Sequence, residues 1–302
     1  MAVPVILDCD TGTDDAIAIM CAVLDPGVEL LGVCTVWGNH DVRDTTDNSL
    51  RVLDLLGAGQ VPVVSGLSGP FRGRATPLPS GRDDIPTVLD LPAPTSPPYA
   101  GHAPEWLAET VDAQTSRGAP VTVVATGPLS NLAAAVRSHP ELVGGVGRVV
   151  ALAGTHTQPG LLPLVERNAW CDPEAVAAVL EAGFTDLTFV GMDATFSAPL
   201  DEADAARVRS LGTPAALAAA AMIEQRVGWY DGPAPLHDPL ALALVLDPAV
   251  VAVERARGRV DLADGPTYGR TVYAFGQDGL DVGLSADHDR YLEWLTAVLG
   301  RS

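Results

Sequence analysis

The sequence predicts an α/β fold: a single domain with a mainly parallel, Rossmann-like sheet and helices on both faces. Short apolar runs alternate along the chain with longer stretches of helical periodicity, which is the rhythm of repeated β-α units. The runs are predominantly apolar, as expected for strands that are buried on both sides. Polar motifs follow several of these runs, where an open α/β sheet binds its ligand.

The individual elements follow from this pattern. Strands are predicted at Val3–Leu7, Leu30–Thr35, Val61–Val64, Val121–Ala125, Val146–Ala151 and Leu187–Val190. Helical periodicity between and after them predicts helices near Asp14–Leu24, Thr46–Leu56, Trp106–Ala113, Leu129–Arg137, Pro173–Ala182 and Pro214–Val227. After Val250 the pattern weakens, and Arg270–Phe275 with Leu280–Leu284 predicts a late β-hairpin.

One segment interrupts the alternation. Residues 65–101 are rich in Pro, Gly, Ser and Arg and show little periodicity. A long irregular segment inside a compact domain is typical of a functional lid or a mobile loop. We therefore expect residues 1–302 to form one domain that carries a lid insertion at 65–101.

Composition excludes several classes of function. The formal net charge of -20 disfavours nucleic acid and anionic membranes as partners, but it leaves a free nucleoside or sugar open. No apolar run reaches membrane-spanning length, and the N-terminus enters a strand without a basic, signal-like region. The 4 Cys are scattered, without a C-x-x-C pair. These features predict a cytoplasmic protein with reduced thiols and no membrane partner.

The most informative motif directly follows the first predicted strand, where Asp8, Asp10, Asp14 and Asp15 share one short turn. Like charges held so close raise the free energy of the fold unless a cation or a hydrogen-bonded ligand offsets them. One or two aspartates suit a helix N-terminus, whose dipole favours negative charge, but four after a buried strand exceed that need. The cluster predicts a site for a hard, oxygen-ligated cation such as Ca²⁺ or Mg²⁺.

Two enzyme classes fit this turn: a metal-dependent hydrolase and a phosphatase of the haloacid dehalogenase type. The run from Asp8 to Thr13 resembles the D-x-D-x-T signature of that superfamily, with Asp8 as nucleophile and Asp10 as acid/base. Those phosphatases also use a cationic residue, usually Lys, to hold the phosphoryl group. All 18 basic residues of this chain are Arg, so the phosphatase is the remoter alternative.

Two later motifs add candidate site residues. His237 precedes Asp238 at a predicted helix start, where Asp238 suits a helix cap and Pro239 the first helical position. Histidine exchanges protons near neutral pH, so His237 is a candidate general acid. Glu166 and Asn168 lie two residues apart, and on an extended segment they would point the same way, toward neighbouring sugar hydroxyls.

Taken together, these motifs resemble those of the inosine–uridine preferring nucleoside hydrolases. The N-terminal D-x-D-x-x-x-D-D pattern is the signature of that family, and the similarity extends nearly from end to end. The matching motifs are Asp8-Cys9-Asp10…Asp14-Asp15, Gly38-Asn39, Asn48…Leu50-Arg51-Val52-Leu53, Thr126-Gly127-Pro128-Leu129-Ser130-Asn131, Glu166…Asn168…Asp172-Pro173-Glu174-Ala175 and His237-Asp238-Pro239-Leu240.

The resemblance implies a concrete reaction: a ribonucleoside and water give ribose and free base, as in purine or pyrimidine salvage. It also implies one Ca²⁺, with the metal ligands Asp10, Asp15, the backbone carbonyl of Thr126 and Asp238. Asp10 is then the base that deprotonates a metal-activated water, and His237 faces and protonates the departing base. The implied ribose contacts are Asp14, Asn39, Glu166 and Asn168. The family also implies a homodimer or homotetramer.

Three departures from the family pattern concern the 5′ side of the sugar and the lid. Gly160 stands where an amide is usual, Arg167 stands where Phe is usual, and Ser80–Ile85 is the nearest remnant of a missing H-G-x-D-G-L-G lid motif. They leave two alternatives open. One is a hydrolase of a different or 5′-modified N-riboside, in which Arg167 or Arg82 meets an anionic group. The other is a non-catalytic nucleoside or ribose binder that keeps the metal site.

Overall fold

The computed structural model describes residues 2–72 and 86–301. Within them, nine strands form one sheet: β1 (Val3–Cys9), β2 (Val28–Thr35), β3 (Val63–Ser65), β4 (Val121–Ala125), β5 (Val146–Ala151), β6 (Leu187–Val190), β7 (Val251–Val260), β8 (Thr271–Phe275) and β9 (Leu280–Ala286). The six strands predicted from apolar runs are all present, and three have the predicted bounds.

Twelve helices lie in the described part of the chain: α1 (Thr13–Leu24), α2 (Val42–Leu55), α3 (Ala103–Thr115), α4 (Ser130–Ser138), α5 (Leu142–Gly145), α6 (Arg167–Cys171), α7 (Pro173–Glu181), α8 (Met192–Thr195), α9 (Glu202–Arg209), α10 (Pro214–Tyr230), α11 (Asp238–Leu246) and α12 (His288–Leu299). In addition to the six predicted by their periodicity, the structure contains several short helices and the C-terminal α12. None of these helices is long and apolar enough to span a membrane.

The strand order is β3-β2-β1-β4-β5-β6-β9-β7-β8. Strands β1 to β6 pair in parallel, β9 joins β6 in parallel, and β7 pairs antiparallel with both β9 and β8. The mainly parallel α/β sheet predicted from the sequence is therefore confirmed.

The predicted late hairpin is wrong. Strands β8 and β9 both exist, but each pairs with β7, which lies between them in the sheet. Strand β7 escaped prediction because it is not a continuous apolar run: charged residues interrupt it, and most of its positions are exposed or partly exposed. A strand at the antiparallel margin of a sheet keeps one face in water, which weakens the apolar signal.

Two apolar cores lie on opposite faces of the sheet, because successive strand residues point to opposite sides. In β1, Val5 and Leu7 belong to the core that packs against α1, α10, α11 and α12, whereas Ile6 belongs to the core under α3, α4 and α7. All three side chains are fully buried. The prediction of helices on both faces is confirmed.

The topology places a switch point beside β1. The chain moves from β1 to β2 and β3 on one side, then returns to β4 on the other side. Asp8 near the end of β1 is paired with Cys34 of β2 and Ala125 of β4. In open α/β sheets a ligand site lies beyond the strand ends at this kind of point, and here the acidic turn occupies that position.

The predicted lid falls partly outside the described residues, since residues 73–85 are among those not described. Residues 66–72 and 86–101 form no helix or strand of their own. Hydrogen bonds join them to Arg51 and Asp54 of α2, to Asn131 of α4 and to Asp172 at the start of α7. A lid function for this segment stays a prediction.

Candidate active site

A cavity of about 530 Å³ opens beyond the carboxyl ends of β1 and β4. It gathers residues from segments that are far apart in the sequence. Among the residues singled out from the sequence, its lining contains Asp10, Asp14, Asn39, Thr126, Glu166, Asn168, His237 and Asp238. Asp15 lies directly behind them. Every predicted site residue is thus at or next to this one cavity.

The bottom of the cavity, hereafter the floor, consists of Asp10, Asp14, Asp15 and Asp238. Each of these four residues is at most 7% exposed. Carboxylate oxygens of Asp14, Asp15 and Asp238 lie within 4.8 Å of one another. Asp10 is not part of this triplet, although it lines the cavity beside it. Asp10 lies in the acidic turn, Asp14 and Asp15 lie in the first turn of α1, and Asp238 is the first residue of α11.

Hydrogen bonds orient two of the floor carboxylates. One Asp15 oxygen accepts from the Gly12 backbone N–H at 2.9 Å, and the other accepts from the Thr126 hydroxyl at 2.7 Å. One Asp10 oxygen accepts from the Asn39 backbone N–H at 2.7 Å. Two backbone donors and one hydroxyl, from three different segments, therefore hold these side chains in place before any ligand binds.

Burial and mutual repulsion raise the pKa values of three floor carboxylates, Asp10, Asp15 and Asp238. Burial is the largest cause for each, and neighbouring carboxylates add to it. The pKa of Asp15 is raised to about 6, and those of Asp10 and Asp238 are raised well above their usual range. Arg167 acts in the opposite direction on Asp10, as Arg226 does on Asp238. The site therefore holds more negative charge than its own cations balance.

The floor fits a hard divalent cation. Four carboxylates face two guanidinium groups, so two negative charges are uncompensated within the cluster when all four are ionised, the state that a bound cation favours. All the converging ligand atoms are oxygens, the donor type that Ca²⁺ and Mg²⁺ prefer, and no thiol or imidazole joins the triplet. The observed donor set agrees with the metal site predicted from the sequence.

Glu166 and Asn168 meet at the cavity, but not in the predicted way. The segment is not extended: Asn168 lies in α6, and Glu166 is the N-cap of that helix. The Glu166 carboxylate accepts from the backbone N–H groups of Gly154, Asn168 and Ala169. A helix N-cap has extended backbone, and this brings the two side chains to the same surface. The prediction of an extended segment is corrected, while the shared surface is confirmed.

The Asn168 side chain spans two strand ends. Its amide nitrogen donates to the Thr126 carbonyl at 2.7 Å and to the Leu152 carbonyl at 2.9 Å. The Thr126 carbonyl stays a predicted metal ligand, and the Thr126 hydroxyl donates to an Asp15 carboxylate oxygen. The Thr126 carbonyl thus lies between the predicted sugar site and the floor.

His237 is the N-cap residue of α11, and the helix begins at Asp238 rather than at Pro239. The predicted capping role of Asp238 is therefore wrong by one position, and its carboxylate is available to the floor. His237 Nδ1 lies 2.8 Å from the Thr195 hydroxyl. The ring packs 5.9 Å from Phe196, which lies 6.1 Å from Tyr230.

Sequence reasoning missed one side of the cavity, hereafter the aromatic wall, which consists of Phe196, Trp229 and Tyr230. These residues lie at the C-terminal ends of α8 and α10. Helix α10 was predicted, but its terminal Trp-Tyr pair carried no motif. The only available signal was two adjacent aromatic residues in a chain with 5% aromatic composition.

Arg226 was also missed. Its Nη1 lies 3.1 Å from an Asp14 oxygen, and both groups are buried. Nε and Nη2 donate to the Pro235 carbonyl at 3.0 Å and 2.9 Å. Arg226 thus joins the floor to the segment that leads into His237. A buried Arg on an alanine-rich helix was the signal that could have identified it.

The departures at Gly160 and Arg167 both lie in the cavity lining. A Cβ at position 160 would overlap the Val165 carbonyl oxygen, so this backbone cannot present an amide side chain there. Arg167 Nη2 donates to the Gly38 carbonyl at 3.4 Å, and its Nε is buried without a hydrogen-bond partner. Arg82 and Ser80–Ile85 lie outside the described residues.

The phosphatase interpretation is wrong. It needs Asp8 as a nucleophile, but Asp8 is 1% exposed and does not line the cavity. One of its oxygens accepts from the Asn131 side chain at 2.7 Å, and burial raises its pKa to about 7. Asp8 supports the acidic turn from behind, and a substrate phosphorus could not reach it.

Comparisons with known proteins agree with this geometry. A family profile described as inosine-uridine preferring nucleoside hydrolase matches residues 5–293. A pyrimidine-specific ribonucleoside hydrolase, RihA, of Shewanella sp. (strain ANA-3) is 34% identical over 281 residues, which cover 90% of this chain and 86% of the relative. RihA of Salmonella typhimurium is 34% identical over 282 residues, covering 90% and 88%.

Solved structures show the same architecture. The plant nucleoside hydrolase PpNRh1 has a TM-score of 0.85 at 26% identity and covers 99% of both chains. A purine-preferring ribonucleoside hydrolase from Gardnerella vaginalis has a TM-score of 0.84 at 27% identity, with 98% coverage of both. An inosine-guanosine nucleoside hydrolase reaches a TM-score of 0.90 at 23% identity, a likeness of fold alone.

Proposed function

The chain belongs to the inosine-uridine preferring nucleoside hydrolase family and is an N-ribohydrolase, and we propose that it cleaves ribonucleosides with Asp10 as the base and His237 as the acid. The observation that supports these roles is the convergence of the floor and His237 in one cavity, from chain segments more than 200 residues apart. The substrate is a small-molecule nucleoside, and the family is metal-dependent.

We propose Ca²⁺ as the ion held by the floor. Asp15 and Asp238 would hold it together with Asp10 and the Thr126 carbonyl, and Asp14 lies within reach of the same triplet. When bound, such a cation lowers the pKa of water and neutralises the carboxylates. The excess negative charge and the all-oxygen donor set support a hard divalent cation, and the resemblance to the family favours Ca²⁺ over Mg²⁺.

Asp10 is suited to take a proton from the attacking water. A general base works best when its pKa lies near the working pH, and burial raises the pKa of Asp10 from its usual acidic range. The Asn39 N–H holds one carboxylate oxygen, which leaves the other for the water. The remaining carboxylates stabilise the positive charge that develops on the ribose at the transition state.

His237 is suited to protonate the departing base. Cleavage of an N-glycosidic bond leaves negative charge on the base unless a proton arrives. The Thr195 hydroxyl lies within hydrogen-bond distance of Nδ1 and fixes the ring, and Nε2 is the nitrogen that we propose delivers the proton. The adjoining aromatic wall would stack on the base, while Asp14, Asn39, Glu166 and Asn168 hold the ribose and lower the entropic barrier.

The test is release of reducing sugar from inosine, adenosine, uridine and cytidine, with and without a chelator. We expect hydrolysis that is lost on chelation and restored by Ca²⁺. Because the curated relatives are named pyrimidine-specific, we expect uridine and cytidine to give the highest kcat/KM. Tight Ca²⁺ binding without ribose release from any substrate would instead favour a non-catalytic binder.

A 5′-substituted riboside is the second candidate substrate, and Arg167 favours it. A guanidinium in the cavity lining whose one hydrogen bond is 3.4 Å long has spare donors for an anionic group. A panel of nucleosides with and without a 5′-phosphate or 5′-carboxylate tests this. A higher kcat/KM for plain nucleosides would exclude the 5′-substituted riboside as the preferred substrate and would leave the proposed ribonucleoside hydrolysis unchanged.

A further inference from the structure

Two buried asparagines that the mechanism does not use connect the acidic turn to the long segment between β3 and α3. Asn48 lies on α2, and Asn131 lies on α4, on the opposite face of the sheet. Neither side chain reaches the cavity, and both residues are fully buried. Each side chain forms three hydrogen bonds. At least one goes to the acidic turn or to β1, and at least one goes to the long segment.

Asn48 holds the turn just after Asp10. Its amide nitrogen donates to the Thr11 carbonyl at 3.0 Å and to the Thr87 carbonyl at 3.1 Å, and its oxygen accepts from the Leu89 N–H at 3.0 Å. The neighbouring Ser49 hydroxyl lies 2.7 Å from the Thr11 hydroxyl. Two consecutive residues of α2 thus fix both the backbone and the side chain of Thr11.

Asn131 holds the turn just before Asp10. Its amide nitrogen donates to an Asp8 oxygen at 2.7 Å and to the Thr35 carbonyl at 3.0 Å. Its oxygen accepts from the Leu67 N–H at 2.9 Å. A Cβ at Gly66 would overlap the Asn131 side chain, so this close contact requires glycine at position 66.

We propose that Asn48 and Asn131 are positioning residues for Asp10. They fix residues 11 and 8, which bracket Asp10, and they do so through the same amides that fasten residues 87–89 and 66–67. A buried amide with both hydrogens and its oxygen bonded has one favoured orientation, because losing any bond leaves a buried polar group unpaired. Two parts of the long segment, residues 66–67 and 87–89, are therefore connected by rigid contacts to the residues on either side of the catalytic carboxylate.

This inference rests on the proposed role of Asp10 and predicts a loss in kcat rather than in substrate binding. A small displacement of Asp10 reduces the rate of the chemical step, while the ribose contacts and the other proposed metal ligands persist. We expect Asn48→Ala and Asn131→Ala each to lower kcat on the order of tenfold, with KM changed by less than about twofold. The double variant should lose less than the product of the two, because both act on the same carboxylate.

Arg51 provides the matched control. It lies one turn further along α2, and its guanidinium donates to the Leu91 carbonyl at 2.7 Å, so it fastens the same long segment without contacting the acidic turn. Arg51→Met should leave kcat within about twofold of the wild type. An equal loss in Arg51→Met would mean that anchoring the segment, rather than positioning Asp10, matters, and would overturn the proposal. A raised KM at unchanged kcat in the Asn variants would do the same.

Circular dichroism and thermal unfolding decide whether each variant is folded at the assay temperature. Should an Asn variant unfold, Ser49→Ala removes only the hydroxyl contact with Thr11, and we expect it to lower kcat several-fold; a wild-type kcat would count against the proposal. Asp10→Asn separates the two levels of inference. If that variant stays active, the assigned base is wrong. If it is inactive while Asn48→Ala, Asn131→Ala and Ser49→Ala all have wild-type kcat, only the positioning role is wrong.

Discussion

The floor and the aromatic wall of the cavity are constructed differently. The floor residues are almost fully buried, and hydrogen bonds from Gly12, Asn39 and Thr126 hold them at the ends of strands and helix starts. The wall residues are only partly buried, and they lie at the C-terminal ends of helices α8 and α10. The floor is thus buried and fixed by hydrogen bonds, whereas the wall is partly exposed and packs ring against ring.

This difference teaches where chemistry and specificity reside. Charged groups that must meet a cation and a reacting water gain from a rigid, desolvated setting. Aromatic rings that only stack on a base tolerate adjustment, because stacking is weakly directional. We therefore expect substitutions in the floor to abolish turnover and substitutions in the wall to alter substrate preference. His237 lies between the two regions, next to Asp238 and packed on Phe196.

The largest effect should come from Asp10→Asn. The amide keeps the shape and the bond to the Asn39 N–H but cannot take a proton, so kcat should fall at least about 10³-fold while the fold persists. Single-turnover assays with uridine measure the loss. Asp41→Asn, at an exposed aspartate, is the control and should behave like wild type. A kcat near the wild-type value in Asp10→Asn would contradict the conclusion that the floor carries the chemistry and the wall the specificity.

The next effect should come from His237→Gln. Glutamine cannot exchange a proton, so kcat on uridine should fall about 10²–10³-fold. A riboside with a good leaving group, such as 4-nitrophenyl riboside, needs no protonation and should lose far less. The ratio of the two kcat values therefore reports the acid role. An equal loss on both substrates would place His237 in ribose or metal binding instead.

A smaller effect concerns stability and pH. Burial raises the folded-state pKa of Asp15 to about 6 from its usual 3.8, so the metal-free native state binds a proton more tightly than the unfolded chain. Its contribution to stability is present below about pH 4 and is lost as the pH rises through about 6, a loss of about 3 kcal/mol.

Bound Ca²⁺ should remove this loss by stabilising the charged carboxylate. Urea unfolding from pH 4.5 to 7.5, with chelator and with Ca²⁺, measures the difference between the two curves. We expect them to diverge as the pH rises, and Asp15→Asn should flatten the metal-free curve. Parallel curves would show that the acidic floor does not bind the ion.

The smallest effect should come from the wall. Trp229→Leu keeps an apolar surface but loses the ring face, so KM should rise about tenfold, equivalent to about 1.4 kcal/mol, with kcat little changed. Comparing kcat/KM for uridine and inosine shows whether the preference between bases changes. Tyr99→Leu, at an exposed aromatic residue, is the control. A fall in kcat with KM unchanged would assign Trp229 to the chemistry.

Much of the fold and of the floor was determined by the sequence alone. Strands β4, β5 and β6 were predicted with their observed bounds because short, predominantly apolar runs are typical of strands in a covered sheet. The acidic turn identified the site because four like charges after a buried strand need a ligand to offset them. Conversely, β7 went unrecognised because a strand with one wet face carries mixed polarity.

Only the tertiary structure decided how the distant parts meet. The pairing of β8 and β9 around β7, the ion pair of Arg226 with Asp14 and the aromatic wall all join residues with no regular spacing in the sequence. The hydrogen bonds of Asn48 and Asn131 to residues on either side of Asp10 also join residues that are far apart in the sequence and show no regular spacing. Local periodicity reports which face of an element is buried, whereas contacts between elements depend on packing, which no single segment encodes.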